Sequence, residues 1–580
     1  MMILRTLLFL FIFLPVIPVQ ADDDTPLREK PLFTPPLRIP IFLSSNFMEL
    51  RTDHFHSGID IKTQGMEGKK VYSIADGYIS RIRISISGFG KAVYITHPNG
   101  YTSVYGHLSR LAKKISPVVK SAQYKQKSYT VDLFFTPEDF PVNKGEVIGY
   151  SGNTGNSFGP HLHFEIRDTQ TEHPVNPLKF RFPVKDTVAP VFKRLLIYPA
   201  TSETFINNTH GTKSFSTNAT GHAYTLKQSQ PVQVTGPVSL GIEVQDYLDG
   251  SHNRCGIYDL QVLFDGKLIY HIVMDEFSYS TTRYINTLMD YGEKIRNGRN
   301  IIRTYISPNN RLNIYRTAQD HGIIQPGDMV PHHIEIQASD VYGNTSHLSF
   351  SLVRVSPPLD QTTTQNNPES CSFMLWNREN RFSTIGCQGF IPENALYDTL
   401  CFHIQTFPRV NGSLSPVYQI HKPDIPLQRA FTLRIKPDSV APYLTGKLLL
   451  ASVDAKGNLS AAGGEWENGN ITGQLRRFGS YTVALDTIPP EIIPRFKENS
   501  YDFSKAASVV FKIKDDFSGI KSYNGFIDDQ WVLFEYEPKK DLIWYSFDPS
   551  RLDRNKMHQL RLEVTDGKDN QSVYHGKFYW

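Results

Sequence analysis

Two short runs in the first third of the chain concentrate residues able to hold a metal ion: His56-Ser-Gly-Ile-Asp60 and Gly159-Pro-His161-Leu-His163-Phe-Glu165. In an extended strand, side chains two or four positions apart project from one face. His161 and His163 then share a face, with Leu162, Phe164 and Ile166 on the other. On a helix, residues two apart would diverge by about 200°, so this pair specifies a strand. Read the same way, His56 and Asp60 point together while Ile59 and Ile61 face a core. Two such strands side by side offer three imidazoles and one carboxylate to a single point. That donor set suits zinc, which accepts neutral imidazole nitrogen and carboxylate oxygen and, where catalytic, keeps one position for water. Three protein ligands leave that position free, so one of these histidines stands outside the ligand set. The sequence contains no His-Glu-x-x-His, which excludes the helix-borne arrangement of that motif.

With their context, these runs resemble the lysostaphin-type, LytM-like zinc metallopeptidases that cut peptide bridges of bacterial cell walls. The matching elements are His56-x-x-x-Asp60, Ile74-Ala-Asp-Gly77, Tyr105-Gly-His107-Leu, Gly149-Tyr-Ser-Gly-Asn-Thr-Gly155 and Gly159-Pro-His-Leu-His-Phe-Glu165. They span residues 56–167 in the family's order, about a fifth of the chain. The resemblance implies an antiparallel β-sheet domain holding one zinc ion through His56, Asp60 and His163, with His107 and His161 as catalytic histidines beside it. It implies peptidoglycan stem or bridge peptides as substrate. Zinc would acidify water and polarise the scissile carbonyl, and a neutral histidine would take or return a proton. Which of His107 and His161 does which stays open. Two departures stand out: His54 adds an imidazole, and about thirty residues separate Leu108 from Val142. In that insertion, Ser109 is expected to cap a short helix with Leu111, Ile115, Val119 and Ala122 inward and Pro117 kinking it. Ser128 to Phe135 reads as a strand and Thr136-Pro-Glu-Asp139 as a turn. Tied to His107 at one end and the strand before His161 at the other, the insertion is expected at the rim of the metal groove.

The elements that must position these groups are short strands. The chain has 580 residues, with 29 Tyr, 36 Phe, 39 Gly and 37 Pro, a composition of strands punctuated by turns. Aromatics at 12% and charged residues at 20% supply several cores rather than disorder. A net charge of +4 without a basic block argues against nucleic acid as partner. Pro98-Asn99-Gly100 marks a hairpin turn. The expected class is therefore mainly β: a LytM-like domain followed by immunoglobulin-like β-sandwich domains.

Residues 1–21 (Arg5, an apolar run from Leu7 to Val19, then Val19-Gln20-Ala21) read as a secretory signal peptide. The mature protein is then exported to the periplasm, cell envelope or outside, with no membrane-crossing segment left after cleavage. Residues 22–40 read as a linker and 41–185 as the peptidase domain. Asp186-Thr-Val-Ala-Pro190 and Asp486-Thr-Ile-Pro-Pro490 open two similar segments. Ile242-Glu-Val-Gln-Asp246, Gly256-Ile257 and Asp340-Val-Tyr-Gly-Asn344 in one answer Phe511-Lys-Ile-Lys-Asp515, Gly519-Ile520 and Asp566-Gly-Lys-Asp-Asn570 in the other. Residues 186–356, with an insertion, and 487–580 are read as immunoglobulin-like sandwiches. Their aspartates read as turn caps, with calcium ligation as the other reading. Residues 357–369 are a linker, and 370–486 a β-rich domain whose fold is not legible. The sandwiches are expected to anchor the protein or bind a cell-envelope partner.

Among remaining residues, His54 reads as a solvated neighbour, His97 as a turn residue, and His332-His333 as too divergent for a second metal site. Gly58, Gly155 and Gly159 serve either turn geometry or close approach of an extended peptide. Cys255, Cys371, Cys387 and Cys401 allow one or two bridges without fixing a pairing. Three functions fit: an active zinc endopeptidase on peptidoglycan, a non-catalytic regulator on the same fold, and a secreted zinc peptidase of other proteins.

Overall fold

The computed structural model describes residues 33–357, 371–496 and 501–580. The expected signal peptide, the lead-in before Phe33 and the spacer beyond residue 357 lie outside the described residues. Among those described, β-strands dominate, and no helix is long and apolar enough to cross a membrane.

The first domain is built on an antiparallel sheet whose strands run, edge to edge, Leu43–Ser45, Ile59–Lys62, His161–Asp168, Tyr101–Gly106, Lys91–Thr96, Gly77–Ile84 and Val131–Phe134. Alternating β-branched and polar residues specify it: Ile59, Ile61, Val93, Ile95, Leu162, Phe164 and Ile166 are fully buried in one core. The Pro-Asn-Gly hairpin forms, with Gly100 at φ +84°. A three-stranded sheet (Lys70–Tyr72, Val147–Tyr150, Arg110–Leu111) packs alongside.

The lead-in is not a linker up to residue 40. Phe33 and Leu37 are buried in this core, and the Thr34 N–H donates to Ile74 O at 3.0 Å. Two apolar anchors outweigh what its Pro-rich composition suggested.

The insertion also departs from expectation. Leu111 lies in a strand, and the helix is Ser116–Gln126, with Ile115 at its N-cap, Pro117 in its first turn and Val119 and Gln123 buried. Proline in the first turn costs no hydrogen bond, so it starts the helix instead of kinking it. The following strand, Val131–Phe134, pairs with Gly77–Ile84 at the sheet edge remote from Asp60 and His163. The insertion is therefore not at the rim of the metal site. It meets the last sandwich instead, through Lys120–Asp548 at 2.6 Å and the Arg551 guanidinium 3.6 Å over the Tyr124 ring.

Three β-sandwich regions follow. In the first, the strands Asp259–Phe264, Pro331–Ser339 and Thr345–Arg354 alternate buried and half-buried residues, and an insertion carries the helices Ile285–Leu288 and Tyr291–Asn297. The hairpin Leu50–Arg51/His54–Phe55 of the first domain is sunk into this sandwich's core, where Phe47 and Phe55 lie 5.8 and 5.4 Å from the Phe277 ring. The middle region faces two five-stranded sheets across its own core and carries the disulfide Cys371–Cys401. Cys255 and Cys387 are free and buried. The last region has two four-stranded sheets, and its final strand, Gln571–Tyr579, buries Phe578.

Candidate metal centre

Antiparallel register sets the heart of the site. His163 stands opposite Asp60 on one side and Gly106 on the other, so three strands bring His163, Asp60 and the residue after Gly106, His107, together. His161, two residues before His163, projects from the same face, and its Nε2 lies 3.5 Å from Asp60 Oδ1. His107 directly follows its strand with φ 58°, a left-handed turn uncommon outside glycine that swings the chain away after the sheet.

His56 arrives differently from expectation. The strand begins only at Ile59, and His56 lies in the connection after the hairpin, so it does not share a strand face with Asp60. The hairpin's anchorage in the first sandwich holds it in place. The outcome is still convergence: His163 Nδ1 is 2.8 Å from Asp60 Oδ1 and 3.2 Å from His56 Nε2, and His56 Nε2 is 3.1 Å from Asp60 Oδ1. All three residues are buried.

Each imidazole has its other nitrogen tied to an acceptor. His56 Nδ1 donates to Asn46 O at 2.7 Å, His163 Nε2 to Glu165 Oε1 at 2.9 Å, His107 Nδ1 to Thr154 O at 2.7 Å, and His161 Nδ1 to Gly159 O at 2.8 Å. This leaves the lone pairs of His56 Nε2 and His163 Nδ1 facing Asp60 Oδ1, the arrangement metal-ligating histidines require. Asp60 Oδ2 is engaged by Arg51 Nη2 at 3.2 Å. Two imidazole nitrogens and one carboxylate oxygen converging in a buried pocket fit zinc, with open positions for water or substrate.

The electrostatics agree. Burial disfavours a charged imidazole, yet Asp60 and Glu165 on either side raise His163 to about 9. Burial would raise Glu165, but Arg167 and His163 hold it at about 2. The pocket thus attracts positive charge, and a metal ion would take the place of a proton. Burial first, then the neighbouring His163 and His161, lowers His107 to about 3, so its imidazole is neutral at ordinary pH.

Other residues at the site were not singled out from sequence. Arg51 and Asn46 flank the first motif, but nothing in their spacing marks them. Phe89 stacks on His163 at 4.8 Å, and Tyr279 comes from the first sandwich. His54 is exposed, as read. His97 is not a simple turn residue: it is buried, with Nδ1 2.8 Å from Asp76 O and Nε2 2.7 Å from Ser103 Oγ. His332 pairs with Asp265 and Asp328 and belongs to none of the clusters of metal-ligand type among the described residues. Gly58 is required by close packing, since a Cβ there would lie 2.2 Å from Phe164 O.

A β-sheet domain that gathers two histidines and an aspartate, with two more histidines alongside, defines a metallopeptidase-type domain. The model of Peptidase family M23 matches residues 54–124 and 131–177, so the chain carries an M23, LytM-type domain. A Zu5-like domain model matches residues 371–486, the region whose fold the sequence left unread. Among curated proteins, the DD-carboxypeptidase/endopeptidase Mpg of Neisseria meningitidis serogroup B is 34% identical over 137 residues, 24% of this chain and 25% of that protein. The peptidoglycan DD-endopeptidase ShyA of Vibrio cholerae is 32% identical over 133 residues, covering 23% and 24%. The murein hydrolase activator NlpD of Salmonella dublin is 29% identical over 125 residues, covering 22% and 26%. The similarity spans only about a quarter of the length of these relatives.

Proposed function

We propose that this protein is an exported zinc endopeptidase that hydrolyses peptide cross-bridges of bacterial peptidoglycan. The observation that carries the reading is the convergence of His56 Nε2, Asp60 Oδ1 and His163 Nδ1 within 3.2 Å, with His107 and His161 beside them. His56, Asp60 and His163 would hold the ion. The chemistry zinc supplies when bound there is Lewis-acid polarisation of a carbonyl and acidification of water.

The chain's own groups do the rest. His107 and His161, with Nδ1 of each donated to a backbone carbonyl, present Nε2 as a proton acceptor. A neutral imidazole at either position can take a proton from water, and whichever is protonated can return it to the departing amine. Glu165 and Arg51 fix the ligating groups so that little reorganisation is needed on binding. The sandwiches, read as immunoglobulin-like around the Zu5-like domain, serve as anchoring or partner-binding modules in the cell envelope.

Incubating purified sacculi with the protein, with and without chelator, tests the reading. Release of cleaved peptides, abolished by chelator and restored by zinc, is expected. Intact sacculi from fully zinc-loaded protein would exclude hydrolysis and leave a regulator of other hydrolases.

A further inference from the structure

The junction between the peptidase domain and the first sandwich holds a second set of hard ligands. Asp186 lies in the connection between the two, Asp246 directly follows the strand Val238–Gln245, and Asp340 directly follows Pro331–Ser339. Each offers a carboxylate oxygen, and these atoms lie within 4.8 Å of one another. Asp340 caps its turn as the sequence suggested: Oδ1 accepts from the Tyr342 and Asn344 N–H groups, both at 2.9 Å. Asp186 Oδ1 accepts from the Val188 N–H at 3.1 Å.

Asp246 is different. It is 2% exposed, and its Oδ1, sealed from solvent, has no hydrogen-bond partner. A buried carboxylate oxygen with nothing to bind is costly unless a cation or a donor completes it. The charged groups acting on Asp246 are Asp186 and Asp340, of the same sign, and Asp249 adds a further carboxylate beside Asp186. The last sandwich provides an internal comparison. Asp486, Asp515 and Asp566 form the same triangle, and Asp566 caps the same turn through the Lys568 and Asn570 N–H groups at 2.8 Å. There, however, the strand-end aspartate is satisfied: Asp515 Oδ2 accepts from the Phe517 and Gly519 N–H groups at 3.1 and 2.6 Å. The two sandwiches share a turn architecture, and only the one against the peptidase domain leaves its central carboxylate oxygen without a partner.

We propose that Asp186, Asp246 and Asp340 bind one calcium ion at the junction of the peptidase domain and the first sandwich. The donors are all hard oxygens, the class calcium takes in flexible shells of six to eight, with backbone carbonyls and water filling the remainder. Its place indicates its effect. Leu248, Cys255, Val341 and Tyr342, on the loops that leave Asp246 and Asp340, pack into the peptidase core. Ser251 Oγ donates to Leu43 O at 2.9 Å, and Lys62 Nζ donates to Ser251 Oγ at 3.0 Å. Leu43 lies on the edge strand of the peptidase sheet and Lys62 on the strand beside it, which carries Asp60. Calcium at the triangle would therefore fasten the loop that clamps the edge of the sheet bearing the metal site.

The test uses the full mature chain, stripped of divalent ions and reloaded with one equivalent of zinc. Calcium titration should show one ion bound per chain by equilibrium dialysis and raise Tm by at least about 3 °C. Asp246→Asn should abolish both effects while raising the calcium-free Tm, because it removes a carboxyl group that burial and its acidic neighbours disfavour. Asp515→Asn, in the last sandwich, should leave both intact. Absence of bound calcium and of a Tm shift in the wild type at about 5 mM, above the range of weak extracellular calcium modules, would overturn the proposal. Undiminished binding by Asp246→Asn would overturn the assignment equally. The readouts are calcium content and Tm, so they stand apart from whether peptides are cleaved.

Discussion

Tyr279 of the first sandwich donates its hydroxyl to Glu165 of the peptidase domain, 3.2 Å from each carboxylate oxygen. Arg167 completes the cluster, with Nη2 2.8 Å from the Tyr279 oxygen and Nε 2.7 Å from Glu165 Oε2. Glu165 in turn fixes His163 Nε2. The orientation of the His163 imidazole thus depends on a residue outside the M23 domain. Partners of ligating histidines commonly contribute about 10–100-fold in metal affinity or activity. Glu165→Gln should fall in that range and Tyr279→Phe near its lower end, measured by competition for zinc with a chromophoric chelator. Wild-type zinc affinity in Tyr279→Phe would mean that the tyrosine only packs.

Asp60→Ala should strip the metal, because the site loses its only ligating carboxylate and leaves Arg51 without its 3.2 Å partner. Elemental analysis of the purified variant should show far less than one zinc per chain. Full occupancy would refute the ligand set.

His107→Ala and His161→Ala should retain zinc, since neither is needed to hold it. Each should lose about 10²–10⁴ in rate on isolated peptidoglycan fragments. Near-normal cleavage by both variants, with zinc content equal to wild type, would remove them from the mechanism.

The last sandwich reaches the loop that supports His107 and His161. Lys539 Nζ donates to the Asn153 carbonyl and, at 3.0 Å, to Ser157 O, while Lys91 pairs with Glu535 at 2.7 Å. Thr154 and Gly159, whose carbonyls accept from His107 and His161, lie on the same stretch. Lys539→Ala should accelerate amide hydrogen exchange across residues 152–160 without lowering zinc content. Unchanged exchange there would show that the loop is held from within its own domain.

His421, in the Zu5-like region, is buried against Phe402 and Phe478, and its Nδ1 has no hydrogen-bond partner. Burial first, then His403 and Lys422, lowers its pKa to about 4. With the folded value below the unfolded one near 6.5, the unfolded chain binds the extra proton between them. The associated stability is complete above about pH 6.5 and is lost as pH falls toward 4. Hydrogen exchange of the strand Val417–Ile420, corrected for intrinsic rates, should speed up between pH 7 and 4.5. His421→Asn, which tolerates the local φ of 53°, should flatten that dependence. An identical pH response in the variant would assign the effect elsewhere.

How much of this was legible in sequence follows from the range of the forces involved. Strand periodicity is local: the alternation in His161–Asp168 alone places two histidines on one face and Leu162, Phe164 and Ile166 in the core. Motif spacing likewise drew attention to His56, Asp60, His161 and His163, with His107 added by the family resemblance, and the Asp-to-Asn turns were readable because a side chain capping its own turn needs only neighbours a few residues away. The sequence could not place His56, whose position comes from a hairpin sunk in another domain's core, nor Tyr279, more than a hundred residues from the carboxylate it binds. It misplaced the insertion because being tied to His107 at one end does not decide which sheet edge a strand will join; pairing with Gly77–Ile84 does. It could not distinguish Asp246 from Asp515 either. Both end a strand in the same pattern, and only tertiary packing determines which carboxylate finds N–H donors and which is buried without one.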